Sequence, residues 1–166
     1  RLDKLHKSET KIRGVPTGFS QLDSLLSGLQ KSDLILLGAR PSFGKTALSL
    51  DIARQAALSG NSVGIFSLEM SREQIMDRLI ASQAQLPLWR LRTGRLNGEL
   101  EFSLVQGALN DLSKLSLFVD DTPSPNILQI RGMARRLQME HGLDLLVLDY
   151  LQLIQPRTTS DNIVQQ

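Results

Sequence analysis

The chain contains no cysteine, which excludes disulfides and thiolate metal sites and agrees with a cytoplasmic location. It has no apolar run near the ~20 residues that a membrane span needs, so no membrane partner is expected. The polar stretch "RLDKLHKSET" is unlike a signal peptide. Charge of one sign is also missing: 19 Lys and Arg stand against 17 Asp and Glu, a net of +2. The pI of 9.2 looks basic only because one Tyr, two His and no Cys leave little else to titrate above neutrality. Bulk charge therefore carries no nucleic-acid signal. Internal repeats and low-complexity tracts are absent as well.

What is present is an alternation of apolar runs and amphipathic stretches. "TGFSQLDSLL" (17–26) spaces Phe19, Leu22, Leu25 and Leu26 as a short helix ending near Gly28. "DLILLG" (33–38) is continuous and apolar, as in a strand buried on both faces. Residues 46–60 predict a helix, 62–70 a strand, and Ser71 with Gln74 a capping box that opens the next helix. "LWRLRTGRL" after Pro87 reads as irregular and basic, followed by a helix near 99–114 and a strand over 115–121. Ser124 and Pro125 mark a helix start, Gly142 its end, and "DLLVLDYLQLI" (144–154) a further apolar strand. Strands alternating with helices predict an α/β fold, a mostly parallel sheet flanked by helices. Ligands of such sheets bind beyond the C-terminal ends of the strands.

The chemistry concentrates at those ends. "ARPSFGKT" (39–46) is one residue away from the phosphate-loop pattern G-x-x-x-x-G-K-[ST]. A loop of this kind turns backbone N–H groups inward around a phosphate, and the following helix aims its positive dipole end at the same point. Ala39, Arg40, Pro41, Ser42, Phe43, Gly44, Lys45, Thr46 and Ala47 form the candidate nucleotide-binding set. Gly44 permits close approach, Lys45 reaches the terminal phosphates, and the Thr46 hydroxyl suits Mg²⁺. Alanine for the first glycine is tolerable where φ at Ala39 is negative. By average residue usage, such a string arises by chance in roughly one chain of this length in a hundred.

A nucleoside triphosphatase also needs a carboxylate beside the metal and another to orient water. Asp149 closes "LLVLD" and is the metal-side candidate. Tyr150 follows it where many phosphate-loop enzymes carry a glutamate, so the water-orienting group is sought elsewhere. Glu69, at the end of "GIFSLE", is the candidate. Plainer readings exist for both, a strand-end turn for Asp149 and a first-turn acid for Glu69.

"GARPSFGKT", "FSLEMS" and "LDYLQL", in this order and spacing, resemble the ATPase domain of DnaB-type replicative DNA helicases. "GVPTGFSQLDSLLSGLQ", "RLRTGRL" and "FVDDTP" resemble the same family, so the likeness runs from about residue 12 to 155. It implies a RecA-like P-loop NTPase core over 15–156, a linker remnant over 1–14 and a polar tail over 157–166. It also implies ATP and Mg²⁺ as cofactors. Lys45 and Thr46 would bind phosphates and metal, Glu69 would polarise the attacking water, and Asp149 would hold the metal through its water shell. Gln152 would couple nucleotide state to DNA. The family works as a homo-hexamer that hydrolyses ATP between subunits and translocates on single-stranded DNA, in a cytoplasmic, nucleoid-associated setting. Primase and a helicase loader would be met through regions not included here.

Nothing after Pro156 resembles the family's further strands, polar sensor or arginine finger, so the expectation is a core lacking its C-terminal strands. Two alternatives follow: a RecA-like fragment that holds nucleotide without turnover, or another RecA-like ATPase of recombinase or clock type. Arg131, Arg135 and Arg136 read as a solvated helix face, and Arg90, Arg92 and Arg95 beside Trp89 as a packing anchor rather than a DNA track. His6 and His141 have no partners at metal-ligand spacing.

Overall fold

The computed structural model describes residues 13–154. Most of the expected linker, His6 and the tail over 157–166 lie outside the described residues. In chain order the elements are α1 (Ser20–Leu26), α2 (Lys45–Leu58), β1 (Val63–Ser67), α3 (Arg72–Ala84), α4 (Leu88–Thr93), α5 (Gly98–Leu112), β2 (Leu117–Asp120), α6 (Ile127–His141) and β3 (Leu145–Asp149), then a 3₁₀ turn at Leu151–Leu153.

The three strands form one parallel sheet in the order β2-β1-β3. In register, Val63 faces Leu117 and Leu145, and Ser67 faces Asp149. β1 is buried at every position because it has a strand on each edge and helices on both faces. Alternation of side chains along the strands sends Val63 and Ile65 toward α2, where Ala53, Ala56 and Ala57 bring the helix close to the sheet. Gly64 and Phe66 point the other way, toward α6. A Cβ on Gly64 would stand 2.8 Å from Leu137 Cδ2, so the absent side chain sets the approach of α6.

Polar knots fix the layers. The Asp23 carboxylate accepts from Thr17 N and Thr17 Oγ1, both at 2.8 Å, and from Gly18 N at 3.2 Å. Thr17 is fully buried and Asp23 nearly so, and Val15 bridges Leu29 beside them. Between α2 and α3, Asp51 accepts from Ser82 Oγ at 2.6 Å and pairs with Arg54, which donates on to Gln83.

Most expected elements form, including the capping box of Ser71 and Gln74. Four expectations are corrected. Residues 33–38 make no strand among the described residues. Leu34 and Leu36 are 85% and 73% exposed, since no strand lies alongside to complete a ladder. "LWRLRT" is the short helix α4, stopped by Gly94 in the left-handed region. The helix start at 124–125 shifts to Asn126, whose side chain accepts from Leu128 N and Gln129 N while Gln129 returns a capping-box bond. Finally, β3 ends at Asp149 rather than 154, and the chain turns into the 3₁₀ segment.

Candidate nucleotide site

The polypeptide leaves the exposed run 33–38 and makes a tight turn in which Phe43 N donates to Arg40 O at 3.2 Å. Ser42 and Gly44 take φ of +66° and +84°, and Ala39 is not among the residues with positive φ. No heavy atom lies within 4 Å of a Cβ built on Gly44, so its glycine answers to the backbone angle rather than to crowding. Helix α2 then starts at Lys45, and its first N–H groups, without intrahelical acceptors, face the turn. Phe43 is 78% exposed.

Asp149 at the end of β3 closes the site from the sheet side. Its Oδ1 pairs with Lys45 Nζ at 2.7 Å and its Oδ2 accepts from Thr46 Oγ1 at 2.6 Å. The carboxylate is buried, and the ammonium is about a third exposed. Lys45 Nζ also stands over the Tyr150 ring, 4.3 Å from its centroid. The main chain of β3 is tied to its neighbour here, with Leu68 N donating to Asp149 O at 2.8 Å.

The structure thus brings Lys45, Thr46 and Asp149 together and adds Tyr150. Glu69 lies in the bend two residues beyond β1, on the same end of the sheet as Asp149, with its side chain exposed. Gln152 is exposed on the 3₁₀ turn. Tyr150 was the residue missed. The signal was present in its position after the metal-side carboxylate, but an aromatic there has no meaning until the lysine is seen above it. The basic cluster is internally engaged: Arg90 pairs with Glu101 and stands over the Trp89 ring, and Arg92 lies 3.7 Å from Asp77. Arg131, Arg135 and Arg136 are spread along α6.

For a divalent cation the donor set is all oxygen, the Thr46 hydroxyl and the Asp149 carboxylate. Among the described residues no cluster of three or more His, Cys, Asp or Glu could hold a metal. One hydroxyl and one carboxylate fit Mg²⁺, which keeps waters and substrate phosphates in its shell rather than an all-protein cage.

A turn with inward-facing amides, a Lys-Thr helix start and a carboxylate at the end of a parallel strand define a P-loop α/β nucleotide-binding domain of RecA-like type. The chain belongs to the DnaB-like helicase C-terminal domain family, whose model matches residues 14–166. It is 44% identical over 166 residues to the replicative DNA helicase DnaB of Geobacillus stearothermophilus, covering 99% of this chain and 36% of that protein. It is 42% identical to the replicative DNA helicase DnaC of Bacillus subtilis, with the same coverage. Among solved structures, a DnaB-like replicative helicase described with its primase interactions superposes with a TM-score of 0.88 at 26% identity. That match covers 96% of this chain and 40% of the other. A second solved structure, of an isolated ATPase domain, matches with the same score and identity, covering 57% of that chain. The chain therefore spans about a third of the length of these curated relatives.

Proposed function

We propose that this chain is the nucleotide-binding part of an ATP-driven replicative DNA helicase motor. The convergence of Lys45, Thr46 and Asp149 on one point beside the start of α2 carries that reading. In this role the amides of Ala39–Ala47 and the α2 dipole cradle the phosphates, and Lys45 neutralises the terminal ones. Thr46 and Asp149 hold the Mg²⁺ side of the site, Asp149 through the ion's waters. When bound, the metal supplies charge neutralisation at the β- and γ-phosphates. Glu69 orients and polarises the attacking water. Gln152, on the turn after β3, passes the state of the site to DNA.

Single-stranded DNA as the track, a homo-hexameric ring and contact with primase belong to the same proposal, supported by the family and by what its relatives are named for. No described helix is long and apolar enough to cross a membrane. The proposed core covers residues 15–156.

The test is titration with a fluorescent ATP analogue, with and without Mg²⁺. Mg²⁺-dependent binding that Lys45→Ala abolishes is expected, and unchanged binding in that variant refutes the reading. A second reading, binding without turnover by this chain alone, is favoured by Glu69, whose exposed carboxylate takes part in no hydrogen bond among the described residues. Hydrolysis assays with single-stranded DNA separate the two: stimulated turnover excludes the second.

A further inference from the structure

We propose that Tyr150 is a positioning residue for the phosphate-loop lysine, a neutral latch from which a nucleotide must draw Lys45. The inference rests on the nucleotide-binding reading above and concerns the same site.

Tyr150 is the chain's only tyrosine, set directly after the buried carboxylate of Asp149. Its backbone is extended, with φ −132° and ψ 158°, and its side chain is half-buried. The Lys45 ammonium therefore meets two groups from adjacent residues of one strand end. The carboxylate lies 2.7 Å away and the ring centroid 4.3 Å away. The other carboxylate oxygen is taken by Thr46 at 2.6 Å. Both side chains proposed to serve the phosphates and the metal are thus drawn against the end of β3.

The chemistry of the ring makes this hold reversible. A quadrupole attracts an ammonium weakly and mainly at short range. It brings no net charge near incoming phosphates, whereas a carboxylate at position 150 would repel them and grip Lys45 harder. A triphosphate, richer in charge, wins the lysine from the ring. The latch is also wired to the proposed coupling turn, because the Tyr150 carbonyl accepts from Leu153 N at 3.2 Å, across the segment that carries Gln152. Release of Lys45 frees the ring at the first residue of that turn.

The experiment compares wild type with Tyr150→Leu, Tyr150→Phe and Tyr150→Trp in the whole protein carrying this chain. Lysine is labelled with ¹³C at Cε, and the Lys45 signal is identified by its loss in Lys45→Arg. Without nucleotide, the Lys45 Hε resonance is expected upfield, shifted by the ring current, in wild type and the Phe variant. It should lie further upfield in the Trp variant and unshifted in the Leu variant. ATP should move the wild-type signal downfield. Removal of the latch should tighten ATP binding ~2- to 5-fold in the Leu variant, and tryptophan should weaken it by a similar factor.

A merely structural tyrosine would give no ring-current signature. A wild-type Lys45 signal identical to that of the Leu variant overturns the proposal, and so does Leu-variant affinity that is unchanged or weaker. If the Leu variant does not fold, the Trp and Phe variants decide: equal Lys45 shifts and equal affinities in wild type and the Trp variant overturn it. Failure of the wild type to bind ATP at all would refute the functional reading, while the signal recorded without nucleotide still decides the Lys45–Tyr150 contact.

Discussion

Thr46 Oγ1 donates a 2.6 Å hydrogen bond to Asp149 Oδ2, joining residues 103 positions apart. That bond ties the first turn of α2 to the last residue of β3. It is possible because β3 runs parallel to β1 and ends level with it, Ser67 opposite Asp149. The sheet thus delivers a carboxylate to the mouth of a loop that the chain left long before, and the pairing of Lys45 with the same carboxylate completes a compact charged centre.

Asp149→Ala removes the acceptor shared by Lys45 and Thr46. ATP affinity in the presence of Mg²⁺ should fall by at least ~10-fold, the scale on which lost metal-site carboxylates act. Affinity without Mg²⁺ should change far less, since Lys45 is released to the phosphates. Parallel titrations with and without the metal check the split. Equal losses in both would show that the carboxylate orders the loop rather than serving the metal.

Gly44→Ala tests the loop's backbone. The position is open, so the added methyl meets no neighbour, but φ of +84° places it in the left-handed region. The strain is about 1 kcal/mol, equivalent to a melting temperature lower by ~3 °C. Nucleotide affinity should fall with it. A calorimetric scan and a binding titration on the same preparation measure both, and an unchanged melting temperature would mean that the turn relaxes.

Asp23→Ala probes the knot before α1. Thr17 is fully buried and its amide and hydroxyl both donate to Asp23. Truncation leaves two buried donors unmet, a loss of about 2–4 kcal/mol. Asp23→Asn, which keeps an acceptor, should cost less. Chemical denaturation of the two variants gives the comparison, and a cost below ~0.5 kcal/mol for alanine would show that water replaces the carboxylate.

How much of this was legible in the sequence depends on the kind of signal. Periodicity and capping are local, so α2, α3, β1 and the Ser71–Gln74 box could be read directly. The meeting of Lys45, Thr46 and Asp149 was legible because the motif residues sit at strand and helix ends, and a parallel sheet gathers those ends on one side. The run 33–38 failed because apolar continuity reports a wish to be buried and says nothing of a strand to pair with. Asn126 displaced Ser124 because two competing caps lie two residues apart, and the one with a glutamine three residues later satisfies more amides. The Lys45–Tyr150 contact needs the fold itself, since no local pattern relates position 45 to position 150.

Glu69→Gln is the sharpest test of the proposed chemistry. The side chain is exposed in the bend after β1 and contributes little to packing, so stability should stay within ~0.5 kcal/mol of wild type. Nucleotide binding should also persist, because Lys45, Thr46 and the amides of the loop are untouched. Hydrolysis, measured in the whole protein with single-stranded DNA, should fall by at least ~10²-fold, the usual contribution of a positioned base. Binding retained with turnover lost places Glu69 on the attacking water. Turnover within a few-fold of wild type would remove it from that role and direct the search to another carboxylate at the same end of the sheet. Asp120 and Asp121, at the end of β2, are the first to examine; Arg72 already draws on Asp121 through a 2.8 Å amide bond, which leaves Asp120 the freer of the two.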